Sequence, residues 1–243
     1  MERSVYSVEA AVEEGHWWFM GRRRLLSRAL ARLAIDRHAC VLDVGSGTGA
    51  NLRVLRELGF HRIWGLDSNL DAIRWCATKG LGKIVRGDAT TLPLRDEVAD
   101  LVIAADIIEH LDDDQSGLEE IRRVLRPAGR ALVTVPAFSG LWGLQDVVSH
   151  HKRRYRASEL RAKLQAAGLV VCELHYFNYL LFLPIWSARQ VLRCLRLRLD
   201  SENQVNFPLL NRALAGIFAF DVATSPRLKP PFGVSLFALV TKP

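Results

Sequence analysis

Cysteine is scarce and scattered. Cys40, Cys76, Cys172 and Cys194 lie far apart, with no C-x-x-C pair. That excludes a disulfide framework and a cysteine zinc site. Long apolar runs are missing too, since no stretch reaches the ~20 residues of a membrane-spanning helix. Met1-Glu2-Arg3-Ser4 carries no apolar leader, so a cytoplasmic protein is expected. No ligand spacing marks a metal site. The neighbouring His150 and His151 are insufficient by themselves, so no metal is expected.

Acid is in deficit on one side only. Residues 1–140 hold 19 Lys/Arg against 20 Asp/Glu, whereas residues 141–243 hold 14 against 6. The overall charge of +7 therefore sits in the second portion. Basic surfaces attract phosphorylated substrates, anionic lipid or nucleic acid; they also serve simply as soluble surface. The 243 residues suffice for one α/β domain with an insertion.

What the chain does have is a glycine turn. Val41-Leu42-Asp43-Val44 reads as a buried strand, and Gly45-Ser46-Gly47-Thr48-Gly49 follows it. Leu52, Leu55 and Leu58 then fall on one side of a helix. Such a turn lets a ligand approach the main chain and the opening amides of the helix. Gly45, Gly47 and Ala50 satisfy the dinucleotide pattern. Asp43 points elsewhere: a carboxylate there suits a cationic amino-acid ligand and repels a pyrophosphate. A purely structural turn is the plain alternative.

Further signals follow in order. Trp17-Trp18-Phe19 precede Arg22-Arg23-Arg24; three successive aromatics cannot all face one core from a helix. They either cover a pocket, where aromatic faces attract cations, or dock an amino-terminal helix. Asp67 ends a second strand, placed to accept from ribose hydroxyls. Asp88 lies just past a third strand, placed for an adenine amine or for a helix N-cap. Asp106 and His110 lie beyond a fourth strand, at the carboxyl end where ligands of open α/β sheets sit. Arg126-Pro127-Ala128-Gly129-Arg130 reads as a helix stop and a turn before a strand over 130–135. The loop 136–157 holds Asp146, His150, His151, Arg153, Arg154 and Tyr155. Strands are expected over 169–177 and 233–240. Between them, Ile185, Ala188, Leu192, Leu195 and Leu199 can share one helical face, with Arg189, Arg193 and Arg196 on the other. That pattern fits a membrane surface, packing on the domain or a second subunit.

The Val41–Gly49 turn, Asp67, Gly87-Asp88-Ala89 with Leu92-Pro93, the Asp106–Leu111 segment and Leu125–Arg130 resemble, in order, class I S-adenosylmethionine-dependent methyltransferases. Glu14–Arg24 and Asp146…His151-Lys152-Arg153-Arg154-Tyr155 are similar to a bacterial subgroup of poorly defined substrate. That subgroup is often suggested for glycan or lipid-linked intermediates. The resemblance implies a Rossmann-like α/β fold, seven-stranded and mostly parallel, with an antiparallel last strand and a helical insertion before it. It implies a helical cap over 1–37, a cofactor core over 38–177 and 232–243, and an insertion over 178–231.

It also implies S-adenosyl-L-methionine as cofactor, with Asp43, Gly45, Ser46, Gly47 and Gly49 at its amino-acid end. Asp67 would take the ribose, Asp88 and Ala89 the adenine, and Asp106 would lie beside the methionine part or the acceptor; Ser68 and Trp18 are further expected cofactor residues. Trp17, Arg22, Arg153, Arg154 and Tyr155 are expected at the acceptor. An oxygen acceptor needs a base. His151 is the first candidate with Asp146 as its orienting partner, and His110 is the second. His151 binding substrate phosphate beside Arg153 and Arg154 is an equal reading. The expected acceptor is a small or lipid-linked anionic molecule, with peripheral membrane contact through 180–199 and an oligomer left open. Large apolar residues in the insertion speak against duplex nucleic acid. The rivals are a cofactor-binding regulatory or membrane-docking protein without turnover, and a nicotinamide-dependent oxidoreductase.

Overall fold

A parallel strand covered on both faces should be apolar along its whole length. Strand β1 (Cys40–Val44) is buried at four of its five residues, Asp43 among them. The computed structural model describes residues 10–81, 83–195 and 207–243, without the side chains of 192–195. The chain runs α1 (Trp17–Leu33), β1, α2 (Ala50–Glu57), β2 (Arg62–Asp67), α3 (Leu70–Thr78), β3 (Ile84–Arg86) and β4 (Ala99–Ala105). It continues through α4 (Asp114–Val124), β5 (Leu125–Pro136), α5 (Leu144–Val148), α6 (Ala157–Ala166), β6 (Val170–Phe177), α7 (Phe182–Leu195), α8 (Pro208–Leu228) and β7 (Ser235–Thr241).

The seven strands lie in the order β3-β2-β1-β4-β5-β7-β6. β1 to β5 pair in parallel. β7 inserts antiparallel between β5 and β6. This is the expected sheet, with its closing hairpin around a helical insertion. β4 shows how two cores arise from alternation. Val102 and Ala104 face α4 and α6 through Leu118, Ile121, Leu160 and Leu164. Leu101 and Ile103 face α1, α2 and α8 through Leu25, Leu30, Leu55 and Phe218. None of the described helices is long and apolar enough to cross a membrane.

Two local expectations change. β5 starts at Leu125, before the expected turn, and its pairing with β4 shifts between Ala99 and Leu101. The turn survives as this irregularity, with Ala128 rather than Gly129 at positive φ, 60°. In α7, Ile185 and Arg189, one helical turn apart, both face inward. Arg189 is buried, donates to the Leu141 carbonyl and lies 3.9 Å from Asp146. It therefore does not join an outward basic face. Leu183, Trp186 and Val191 are the exposed residues instead. Arg196 and Leu199 lie outside the described residues, as do the side chains of Leu192, Arg193 and Leu195.

The amino-terminal helix is docked by its tryptophans. The Trp17 and Trp18 rings lie 5.7 and 5.5 Å from that of Phe218 on α8. Gly21 allows this approach, because a Cβ there would fall 2.0 Å from Phe218 Cδ1. Helix propensity alone favours alanine over glycine by about 1 kcal/mol. The fully buried Phe218 ring reverses that sign. Gly21→Ala should destabilise the protein by about 1–3 kcal/mol, the usual cost of overpacking. Urea unfolding checks this, and a stabilised variant would refute the packing argument.

Candidate functional site

Register places the site. Val44 pairs with Leu66 on one side and with Ala104 on the other. The segments following β1, β2 and β4 thus emerge side by side. After β3 the chain crosses to the other side of β1, so the strand order reverses here, where a crevice opens in such sheets. A cavity of about 440 Å³ occupies that position. Its floor includes Gly45, Ser46, Gly47, Asp67 and Ser68, with Asp106 beside them. Trp17, Trp18 and Arg22 from α1 form one wall. Glu109, His110, Ser149, His151, Arg154 and Arg189 form another.

The glycine turn divides its work. Gly47 has φ 51°, and a Cβ built there meets nothing within 4 Å, so the backbone faces open space. Gly49 is the N-cap of α2 at φ 87°, and a Cβ there would lie 2.4 Å from Leu81 Cδ1. Its reason is packing, and it does not line the cavity. Asp67 accepts from the amides of Gly47 and Asn69, both at 2.9 Å. Burial raises its carboxyl above the ordinary range, against the pull of those amides. Asp43 is fully buried beneath the turn and does not itself line the cavity, with Oδ1 accepting from Asn51 at 3.0 Å and Oδ2 without a partner. Burial pushes its carboxyl up to about 7, with the Asn51 hydrogen bond opposing. A buried carboxylate oxygen lacking a donor fits a cationic ligand above it.

The second wall is built from the loop after β5. His151 Nδ1 lies 2.8 Å from Asp146 Oδ1, so the expected pair does form. Arg154 holds the same carboxylate through Nε at 2.7 Å and Nη2 at 2.9 Å, and the Gly143 amide adds a further donor at 2.7 Å. Burial alone would raise Asp146. Bonds from His151 and Arg154 outweigh it and hold the carboxyl well below the usual range. The His110 ring packs edge-on to His151 at 4.7 Å. Burial, then the neighbouring His151, push His110 down to about 3. Asp106 takes φ 53°, accepts from Thr134 at 3.0 Å and pairs with Arg22.

Several expected residues lie elsewhere. Asp88 is exposed, outside the cavity, and accepts from the Thr90 amide at 2.8 Å and hydroxyl at 2.7 Å. It caps a turn, since no helix begins there. Ala89 sits in the core. Tyr155 is fully buried with its hydroxyl donating to Asp114, and Arg153 binds Asp114 and the Leu111 and Asp112 carbonyls. Neither lines the cavity, so the expectation that they touch an acceptor is corrected.

Other residues carried no sequence signal. Glu13 reaches the turn through Thr48 and Lys79. Glu109 is fully buried, with both carboxylate oxygens unpartnered. Burial pushes its carboxyl up to about 8. Gln145, Ser149, Ile185, Val234 and Ser235 complete the lining.

Residues 42–133 match a methyltransferase-domain family. A protein of Mycolicibacterium smegmatis described as a "probable S-adenosylmethionine-dependent methyltransferase" is 29% identical over 168 residues. That match spans 68% of this chain and 63% of that one. The malonyl-acyl-carrier protein O-methyltransferase of Pseudescherichia vulneris is 31% identical over 152 residues, 60% of each chain. The chain thus covers less than two thirds of each relative's length. Phosphoethanolamine N-methyltransferase 2 of Haemonchus contortus, solved with S-adenosyl-L-methionine, superposes with a TM-score of 0.58 at 17% identity, over 89% of this chain and 52% of that one. At that identity the likeness concerns the fold.

Proposed function

We propose that this chain, which carries a class I S-adenosylmethionine-dependent methyltransferase domain, transfers the cofactor's methyl group to an oxygen acceptor seated against His151. One observation carries the reading. A single cavity joins the Gly45–Gly47 turn and Asp67 to the Asp146–His151 pair. A cofactor half and an acid–base half therefore share one cleft.

S-adenosylmethionine, when bound, supplies a methyl group already activated on a sulfonium. The chain's residues bind, align and handle a proton. Asp67 accepts from ribose hydroxyls while its amide donors fix its rotamer. Asp43 would act on the amino-acid end from beneath the turn. Asp146 holds His151 with Nδ1 as donor, leaving Nε2 free to take the acceptor's proton. α1 and the loop 136–157 exclude water and hold the acceptor in line, and such alignment is worth roughly 7–11 kcal/mol.

Calorimetry should register binding of S-adenosylmethionine and of its demethylated product. Asp67→Ala should weaken both by about 1–3 kcal/mol, the range for a lost buried hydrogen-bond partner. Tight nicotinamide binding without sulfonium binding overturns the assignment. Cofactor binding with no product across an acceptor panel favours the regulatory reading.

For the acceptor, the proposal is an anionic, partly apolar molecule, met at a membrane surface. Two features support it. Arg154 and Arg189 line the cavity. Outside it, Leu180, Leu183, Trp186 and Val191 are exposed on and beside α7, in the basic portion of the chain. Sedimentation with anionic vesicles should show binding that falls with salt. Leu183→Glu with Trp186→Glu should reduce it. Methylation of a small neutral acceptor without vesicle binding would exclude this acceptor class.

A further inference from the structure

We propose that Glu109, His110 and His151 bind one divalent transition-metal ion, Zn²⁺ being well suited to their donor set, in the acceptor half of the cavity. One donor atom from each lies within 4.8 Å of the others. His151 Nε2 is 4.0 Å from Glu109 Oε1. No sequence spacing reveals the set, because β5 and its loop bring His151 back against the segment after β4.

Proximity of such groups is common without an ion, and two independent features go further. The first is Glu109 itself. Its side chain is 0% exposed, lines the cavity and has no hydrogen-bond partner on either oxygen. A buried carboxylate left so is costly, and a cation above it removes the cost. The second is the outer shell. Asp146 engages His151 Nδ1, which fixes the tautomer and leaves the Nε2 lone pair on the Glu109 side. Asp146 is in turn fixed by Arg154 and the Gly143 amide. His110 lines the cavity together with Ser149 and packs edge-on against His151. Metal-bound histidines commonly have such a carboxylate behind them.

Two imidazoles and one carboxylate suit Zn²⁺ and neighbouring first-row ions. Mg²⁺ and Ca²⁺ prefer oxygen donors. With bonds near ~2.1 Å, the three donors must close around the ion by about an ångström. Three protein ligands leave a coordination position open, and here it would face the cavity. Filling that position with an acceptor oxygen rests on the methyl-transfer reading; metal binding does not. In the loaded protein His151 is a ligand, and the ion's charge would replace it in favouring loss of the acceptor's proton.

The test uses the untagged full chain, stripped with a chelator. Zn²⁺ is titrated by calorimetry and Co²⁺ by visible absorption, with S-adenosylmethionine binding measured on the same samples. One ion per chain is expected, with a Co²⁺ ligand-field spectrum. Glu109→Gln, His110→Gln and His151→Gln should each weaken Zn²⁺ binding at least about 100-fold, taking the upper range for outer-shell losses as a floor. His150→Asn, at an exposed neighbour, should leave it unchanged. Should one variant fail to fold, the other two decide. Absence of saturable binding overturns the proposal, as does binding that survives all folded variants, which marks an adventitious ion. Cofactor binding without metal binding refutes this site alone. Metal binding without cofactor binding refutes the methyltransferase reading instead.

Discussion

His151→Ala should lower methyl transfer by about 10²–10⁴-fold, the span for loss of a positioned proton-transfer group. Cofactor affinity should change by no more than a few-fold, since no residue of the glycine turn or of β2 touches His151 in the contacts described. The variant is suited to the question because its neighbours stay satisfied. Asp146 keeps the Arg154 fork and the Gly143 amide. Asp146→Asn is a poorer probe. It would strip the buried Arg154 guanidinium of its carboxylate partner, and breaking a buried pair costs about 3–5 kcal/mol. Its rate loss would mix positioning with unfolding of the loop. Transfer of labelled methyl, with thermal unfolding alongside, separates the two. Zn²⁺ distinguishes the roles of Nε2. Added to stripped wild-type protein, it raises the rate if His151 serves as a ligand. It leaves or lowers the rate if His151 serves as a base. An unchanged rate in His151→Ala would remove this residue from the chemistry altogether.

The sheet and the glycine-turn side of the cavity were legible because their signals are local. A β-branched run, a glycine turn and a carboxylate at a strand's end are contiguous, and the strand pairing simply sets them side by side. Asp146 with His151 was legible for the same reason, being five residues apart on one loop. What stayed hidden depends on distant segments meeting. Glu13 reaches Thr48 only after the amino-terminal segment folds across the turn. Glu109 reads as an ordinary surface acid beside His110, yet the loop after β5 seals it from solvent. The charge pattern of α7 misled for a physical reason. A helical wheel gives relative angles but not which side faces the domain. Here a buried carboxylate draws Arg189 inward, and Leu183 and Trp186 turn out. Arg153 and Tyr155 look like substrate ligands by residue type, but Asp114 engages both.

Cofactor affinity should rise about 50-fold between pH 5 and pH 7, and Asp43→Asn should abolish that rise. The argument starts from burial. Without ligand, the Asp43 carboxyl titrates near 7, because its site is fully buried and only Asn51 donates to it. Asp67 on the next strand pushes it up further, and the Arg22 charge pulls weakly the other way. A ligand ammonium favours the ionised form. Below the raised value each binding event must therefore release a proton, and affinity falls about tenfold per pH unit. Above it the dependence flattens. The unliganded protein shows the opposite sign. A folded-state value above the unfolded one gives stability that is complete below the unfolded value near 3.8 and is lost as pH rises through 7. The contribution at stake is at most roughly 4 kcal/mol. Heating the unliganded protein at pH 5 and at pH 8 should thus show Asp43→Asn relatively more stable at pH 8, where it avoids burying a charge. Calorimetry at both pH values should show it binding cofactor weakly and almost without pH dependence in this range. A wild-type affinity that stays flat from pH 5 to 7 would mean that Asp43 is ionised before the ligand arrives. The unpartnered Oδ2 would then have a donor other than the cofactor.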